Sequence, residues 1–200
     1  MKKIIFTVIT VLAFGFTNAQ VEEETDNAFS KGDKFVEGSF SFRSGDIEDS
    51  WALTPKMGIM LDDKWAVGGF LAFSGRDNFS ENTKYSTLGF GAFARYYFLS
   101  LGASKRFNAY GEFGLGYSSL SEEPDGGSKQ TDSAFNANID LGMNYFFTSH
   151  WAATFELANI LSYNNVNPEG NAGNSSDLNV NVNLFNNIFA TPQFGLLYRW

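Results

Sequence analysis

Between Lys34 and Trp200 apolar and polar side chains alternate with a period of two, and every mid-strand charge falls on a single parity. Successive side chains of an extended strand point to opposite faces, so the pattern predicts strands with one uncharged face. We read eight, at about 34–43, 50–61, 64–74, 84–98, 106–119, 133–147, 150–161 and 178–200. The uncharged parity runs through Val36, Phe40 and Phe42, then Leu53, Met57 and Ile59, then Val67, Leu71 and Phe73. It continues through Phe90, Phe113, Ile139, Phe155, Leu157 and Leu196. The other parity holds Glu37, Arg43, Lys56, Arg95, Glu112, Asp140, Glu156 and Arg199, with Gly, Ser, Thr and Asn between them.

Alternation alone also suits a soluble sandwich, which would leave such charges to water. The connections and the aromatics separate the two. Short turns at Asp62-Asp63, 100–105 and Thr148-Ser149-His150 alternate with long polar loops at 44–49, 75–83, 121–132 and 162–177. Trp65, Trp151 and Trp200 fall beside the short turns or the chain end, and Trp51 near a long loop. Long loops at one end, short turns at the other and an aromatic girdle at each water interface are the marks of a membrane barrel. A Lys or Arg facing lipid at mid-membrane costs about 2–4 kcal/mol, which accounts for the clean parity. The expected fold is all-β, an eight-stranded antiparallel up-and-down transmembrane β-barrel with both termini on the short-turn side. Residues 178–200 are too long for one crossing of roughly 9–11 residues. We expect their upper part to project above the bilayer through a bulge near Phe185-Asn186-Asn187.

Composition fits this reading and removes several function classes. Phe is 22 of 200 residues and Gly 20, with 4 Pro and no Cys, so disulfides, thiolate chemistry and lipid-modified Cys are excluded. Met1 to Ala19, with Lys2 and Lys3 ahead of an apolar core, reads as a signal peptide. Its loss makes the chain two units more negative than its formal −8. Such a balance disfavours nucleic acid. Residues 20–33, with Glu22, Glu23, Glu24 and Asp26, read as a flexible acidic lead-in, and 34–200 as the barrel.

The chain end, with Gln193, Gly195, Tyr198 and Trp200, resembles the terminal signal by which outer-membrane barrels are recognised for insertion. Pro55 to Gly68, PKMGIMLDDKWAVG, resembles the strand-turn-strand signature of the small outer-membrane β-barrel domain family, of the OmpA membrane domain and OmpX kind. The resemblance covers residues 34–200. It implies an outer-membrane protein of a Gram-negative cell envelope, in contact with lipid and lipopolysaccharide and with the barrel-assembly machinery during insertion. No OmpA-like C-terminal domain is expected after Trp200.

An eight-stranded barrel is just wide enough for side chains to fill. Hairpin register sets Glu37 against Lys56, groups Glu112 and Asp140 near Glu156 with Arg95 diagonal to Glu112, and offers Arg199 to Glu37 across the closing seam. The expectation is a lumen plugged by a charge network, in a monomer with a structural or surface-interaction role. The alternative is a narrow porin-like channel for ions or small solutes. No cofactor, metal set or enzyme site is expected: the lone His150 lies in a short turn, whereas the barrel lipid-A enzymes resemble one another in using a His, commonly with a Ser, near the outer leaflet. Trp200→Ala is expected to lower the yield of folded protein in cells severalfold, measured as the heat-modifiable band in membrane fractions; equal yields would refute the insertion-signal reading.

Overall fold

The computed structural model describes residues 28–102, 104–168, 175–180 and 193–200. Nine strand segments follow in order: β1 (Lys34–Ser44), β2 (Glu48–Met60), β3 (Trp65–Asn78), β4 (Thr83–Leu101), β5 (Phe107–Pro124), β6 (Gln130–Phe146), β7 (Trp151–Asn167), β8 (Ser175–Val180) and β9 (Gln193–Arg199). Each pairs antiparallel with its neighbours, and β9 closes the ring by pairing with β7 on one side and β1 on the other. Closure leaves β1 to β7 without a free edge over the shared height, as a hydrocarbon environment demands of a sheet.

Eight staves are built from these nine segments. β8 lies on the upper part of β7, with Leu161 opposite Val180, and β9 on the lower part, with Glu156 opposite Gln193. Both run the same way, so together they form the eighth stave. Four residues of β7 separate the two pairings where the chain has twelve, and the register therefore shifts by eight between them. The bulge expected at Phe185-Asn186-Asn187 lies outside the described residues.

The parity of the sequence is the parity of the wall. Phe35, Glu37 and Ser39 are buried inward while Val36, Gly38 and Phe40 face out, and β2 to β6 repeat this alternation. The ladders nevertheless run past the expected ends. β4 and β5 hold 19 and 18 residues, and the first three outer connections are shorter than the polar segments that mark them. Hydropathy alternates only where one face meets lipid, whereas backbone pairing continues into water through Ser, Thr and charged residues.

Inward glycines have a common cause. Phe35 lies on Gly58, Phe93 on Gly68, Phe70 on Gly91 and Tyr110 on Gly142, each ring opposite its glycine in register. A Cβ at any of these glycines would enter the ring, so glycine on one strand lets an aromatic from the next lie flat across the wall. Two breaks in register also matter. β4 has one extra residue at Phe98, and β7 has two, Leu157 and Ile160, on its way past β6. Leu157 is thus a bulge residue rather than a regular outward position. Pro55, with no N–H to give, explains why the β2–β3 ladder skips Thr54 and Pro55.

The β2–β3 turn is held by Asp62, whose Oδ1 accepts from the backbone N–H of Lys64 and of Trp65, both at 2.8 Å. These two donors hold the Asp62 carboxyl below its ordinary range. A depressed pKa in the folded protein stabilises fully above the ordinary carboxylate range and is lost as pH falls through the depressed value. Asp62→Ala is expected to lower the thermal unfolding midpoint at neutral pH, and the gap from wild type should close on acidification in parallel melts.

Candidate functional site: the filled lumen

Every inward charge at mid-barrel faces a cavity too narrow to hydrate it freely, so its partners must be other lumen side chains. Arg95, on β4, is fully buried and central. Its Nε donates to Glu112 Oε2 at 2.7 Å, and its Nη1 and Nη2 donate to the two carboxylate oxygens of Glu37 at 2.8 and 3.3 Å. Lys56 Nζ meets the other oxygen of Glu112 at 2.5 Å. The guanidinium lies over Tyr110, 3.9 Å from its ring centroid, and Nη1 also reaches the Tyr97 hydroxyl at 3.3 Å. Two carboxylates and two cations therefore neutralise one another with every guanidinium nitrogen engaged, the geometry a buried ion network requires.

Register and partner choice differ here. Glu37 and Lys56 are opposite one another as expected, yet they do not pair; each reaches across the ring, β1 to β4 and β2 to β5. Arg95 is directly opposite Glu112 rather than diagonal to it. Asp140, directly opposite Glu112, is held by amides instead of a cation: Asn159 donates to its Oδ1 at 2.7 Å and Asn138 to its Oδ2. One extra residue of β7, Leu157, puts Asn159 opposite Asp140, while Glu156, on the turn side of that bulge, stands at the level of Gly142, so the expected Glu112, Asp140 and Glu156 level is broken. No ion pair among the described residues includes Glu156. Arg43 is exposed at the outer end of β1 and takes no part in the lumen network.

Below the ions the short-turn half is packed with rings that share the inward parity. Phe35, Phe93, Tyr97, Tyr110 and Phe146 form one buried cluster with Met60, Ala66, Ala152 and Leu197. Phe29 joins them from outside the barrel sequence: it is 3% exposed, its ring 4.6 Å from Tyr97 and 5.4 Å from Phe146. Residues 28–33, read as the end of a flexible lead-in, are instead tied to the wall. Gly32 N–H donates to Met60 O, Met60 N–H to Asp33 O, and Lys31 N–H to Asp63 Oδ1.

Arg199 corrects the seam expectation. It stands opposite Phe35, below Glu37, and its guanidinium donates to the backbone carbonyls of Ala28 at 2.6 Å and Ser149 at 2.8 Å. Asp33 lies 3.6 Å from it, and Phe29 and Phe146 stack on its charge. The seam is thus fastened by Arg199 gripping the lead-in and the β6–β7 turn.

The remaining sequence-marked residues are at the rims. Trp65, Trp151 and Trp200 face out at the short-turn end, where Trp65 packs on Tyr96, and Trp151 and Trp200 on Tyr198; Trp51 faces out toward the other end. At the chain end, Gln193 opens β9 and Tyr198 lies between Val36 and Trp151 in register. Trp200 exchanges both backbone hydrogen bonds with Lys34. Gly195 has a steric reason of its own, since a Cβ there would strike Gly38 O and Thr154. His150 is exposed in its turn, with Nδ1 2.8 Å from Ser149 Oγ. At the outer mouth a cavity of about 550 Å³ is lined by Ser41, Ser50, Ser74, Thr87 and Arg76, the last stacked 4.3 Å over Tyr85.

Removing Arg95 leaves two buried carboxylates facing one another. Arg95→Ala is expected to cost about 3–5 kcal/mol, read as a lower temperature for loss of the compact band on gels. Arg95→Met combined with Glu37→Gln, which leaves the Lys56–Glu112 pair intact, should recover much of it.

Comparison with known proteins agrees with this architecture. No curated protein sequence matches the chain. Among solved structures, the outer membrane protein OprG from Pseudomonas aeruginosa superposes with a TM-score of 0.53 at 16% identity, over 87% of this chain and 98% of that one. Neisserial surface protein A gives 0.50 at 14% identity, over 84% and 94%. At these identities the likeness is one of fold. The family model for the outer membrane protein beta-barrel domain matches residues 7–196. By that match over nearly its whole length, on a closed ring of eight antiparallel staves, the chain belongs to the outer membrane protein β-barrel domain family.

Proposed function

We propose that this barrel has a structural and surface-interaction role in the outer membrane, with a lumen closed to solutes and without enzymatic chemistry. The observation that carries the reading is the filled cross-section: the Arg95 quartet rests on the ring cluster of Phe35, Phe93, Tyr97, Tyr110 and Phe146, with Phe29 beneath. A solute would have to separate buried ion pairs and displace large rings in one passage, and each step is costly. The chain enters the envelope through cleavage after Ala19, is inserted by the barrel-assembly machinery through Gln193, Gly195, Tyr198 and Trp200, and works as a monomer. It is surrounded by lipid, with lipopolysaccharide at the outer girdle. What it offers other molecules is its outer loops, since loops on a rigid scaffold are where barrels of this kind make contacts.

One observation favours the alternative, a narrow channel for ions or small solutes. The hydroxyl-lined outer cavity of about 550 Å³ would serve as its entrance. It would conduct only if Lys56 and Arg95 exchanged partners. Planar-bilayer recording on the reconstituted full chain separates the readings. Wild type is expected to give no steady current, and a current altered by Lys56→Ala would overturn the closed lumen.

A further inference from the structure

The outer end carries apolar side chains that neither the lumen nor the bilayer uses. Ile47, in the β1–β2 connection, is 63% exposed, and Phe79, in the β3–β4 connection, is 49% exposed. Ile47 lies beyond the outward Trp51 on its hairpin, and Phe79 lies as far beyond Gly75, the register partner of Trp51, on the next. Large apolar groups at such loop tips signal a contact surface rather than a core.

These tips are fixed in place. Phe79 N–H donates to Ile47 O at 2.9 Å, which joins the first outer connection to the second. Asp125 N–H donates to Asn82 O at 2.8 Å, which joins the second to the third. Asn78 Oδ1 accepts from the N–H groups of Ser80 and Glu81, and the Glu81 carboxylate takes the Asn78 amide and the Tyr85 hydroxyl. Three connections thus form one platform whose ordering cost is met on folding, which favours binding.

Beside Phe79 the platform opens into a cleft of about 300 Å³ between the β3–β4 and β5–β6 connections, walled by Phe79 and Pro124. Asp77, Glu123 and Asp125 border it with a single Lys84. Among the described residues no hydrogen bond or ion pair occupies these three carboxylates. An apolar wall beside uncommitted carboxylates matches a side chain with an apolar stem and a cationic head. Anionic groups rimming an apolar centre also steer a partner of opposite charge.

We propose that the Ile47–Phe79 platform is a docking surface for a cationic amphipathic protein segment, with its apolar face on Ile47 and Phe79 and a Lys or Arg in the Phe79–Pro124 cleft. This rests on the surface-interaction role and specifies its partner. The test uses the full chain in zwitterionic nanodiscs, with a labelled helical peptide of one leucine and one lysine face as probe and empty discs as blank. Wild type should bind above the blank, more weakly as salt rises. Ile47→Ser with Phe79→Ser should weaken binding about tenfold, and Glu123→Gln with Asp125→Asn should weaken it and flatten the salt dependence. Heat-modifiable mobility verifies that both variants fold. Equal binding by wild type and variants, equal binding of a serine–lysine peptide, or none above the blank overturns the proposal. Conductance on the same preparation keeps the readings apart: a silent barrel that ignores the peptide refutes this surface and leaves the closed lumen standing.

Discussion

A buried guanidinium that must be neutralised inside a barrel surrounded by hydrocarbon is the constraint on which the rest of the lumen depends. Arg95 draws Glu37 from β1 and Glu112 from β5, and Glu112 in turn takes Lys56 from β2. These links run along chords of the ring as well as around it. Staves that are not neighbours in the sheet are therefore braced through the interior. Desolvation makes such a network expensive and its partial loss more so, so it specifies one arrangement of the staves more than it adds net stability.

The rings below the network follow from the same narrowness. An eight-stranded wall leaves most room for a flat side chain where the facing strand lacks a Cβ, and glycine stands opposite Phe35, Phe93 and Tyr110. Phe29 fills the last space from below, and Arg199 ties its segment to the β6–β7 turn. The closing pair of strands is thus held by backbone pairing and by a side chain that joins three parts of the chain. Above the network the interior turns to hydroxyls and opens to water, so the barrel is asymmetric along its axis as well as at its rims.

Much of this was legible in the residues. Glu37, Lys56, Arg95 and Glu112 were placed inward by parity, and the Glu37–Lys56 register followed from hairpin counting. The partners across the ring, Glu37 with Arg95 and Lys56 with Glu112, were not legible, because counting within a hairpin sees only adjacent strands. Asn159 escaped because one extra residue in β7, Leu157, moves it to the level of Asp140, and nothing in local hydropathy marks that residue. Phe29 escaped because an isolated aromatic in an acidic stretch has no period. The inward rings were within reach: Phe93, Tyr97 and Tyr110 share the parity of Arg95 and Glu112.

The sequence by itself determined the ring, its parity and the four charges at the centre of the lumen. These depend on a period of two and on the solvent each face meets, which are local properties. Only the tertiary structure decided which charges join, that Arg199 grips the lead-in rather than Glu37, and that loops distant in sequence share one platform. Those outcomes depend on distances across a closed lumen and between neighbouring hairpins, and such distances exist only once the ring has closed.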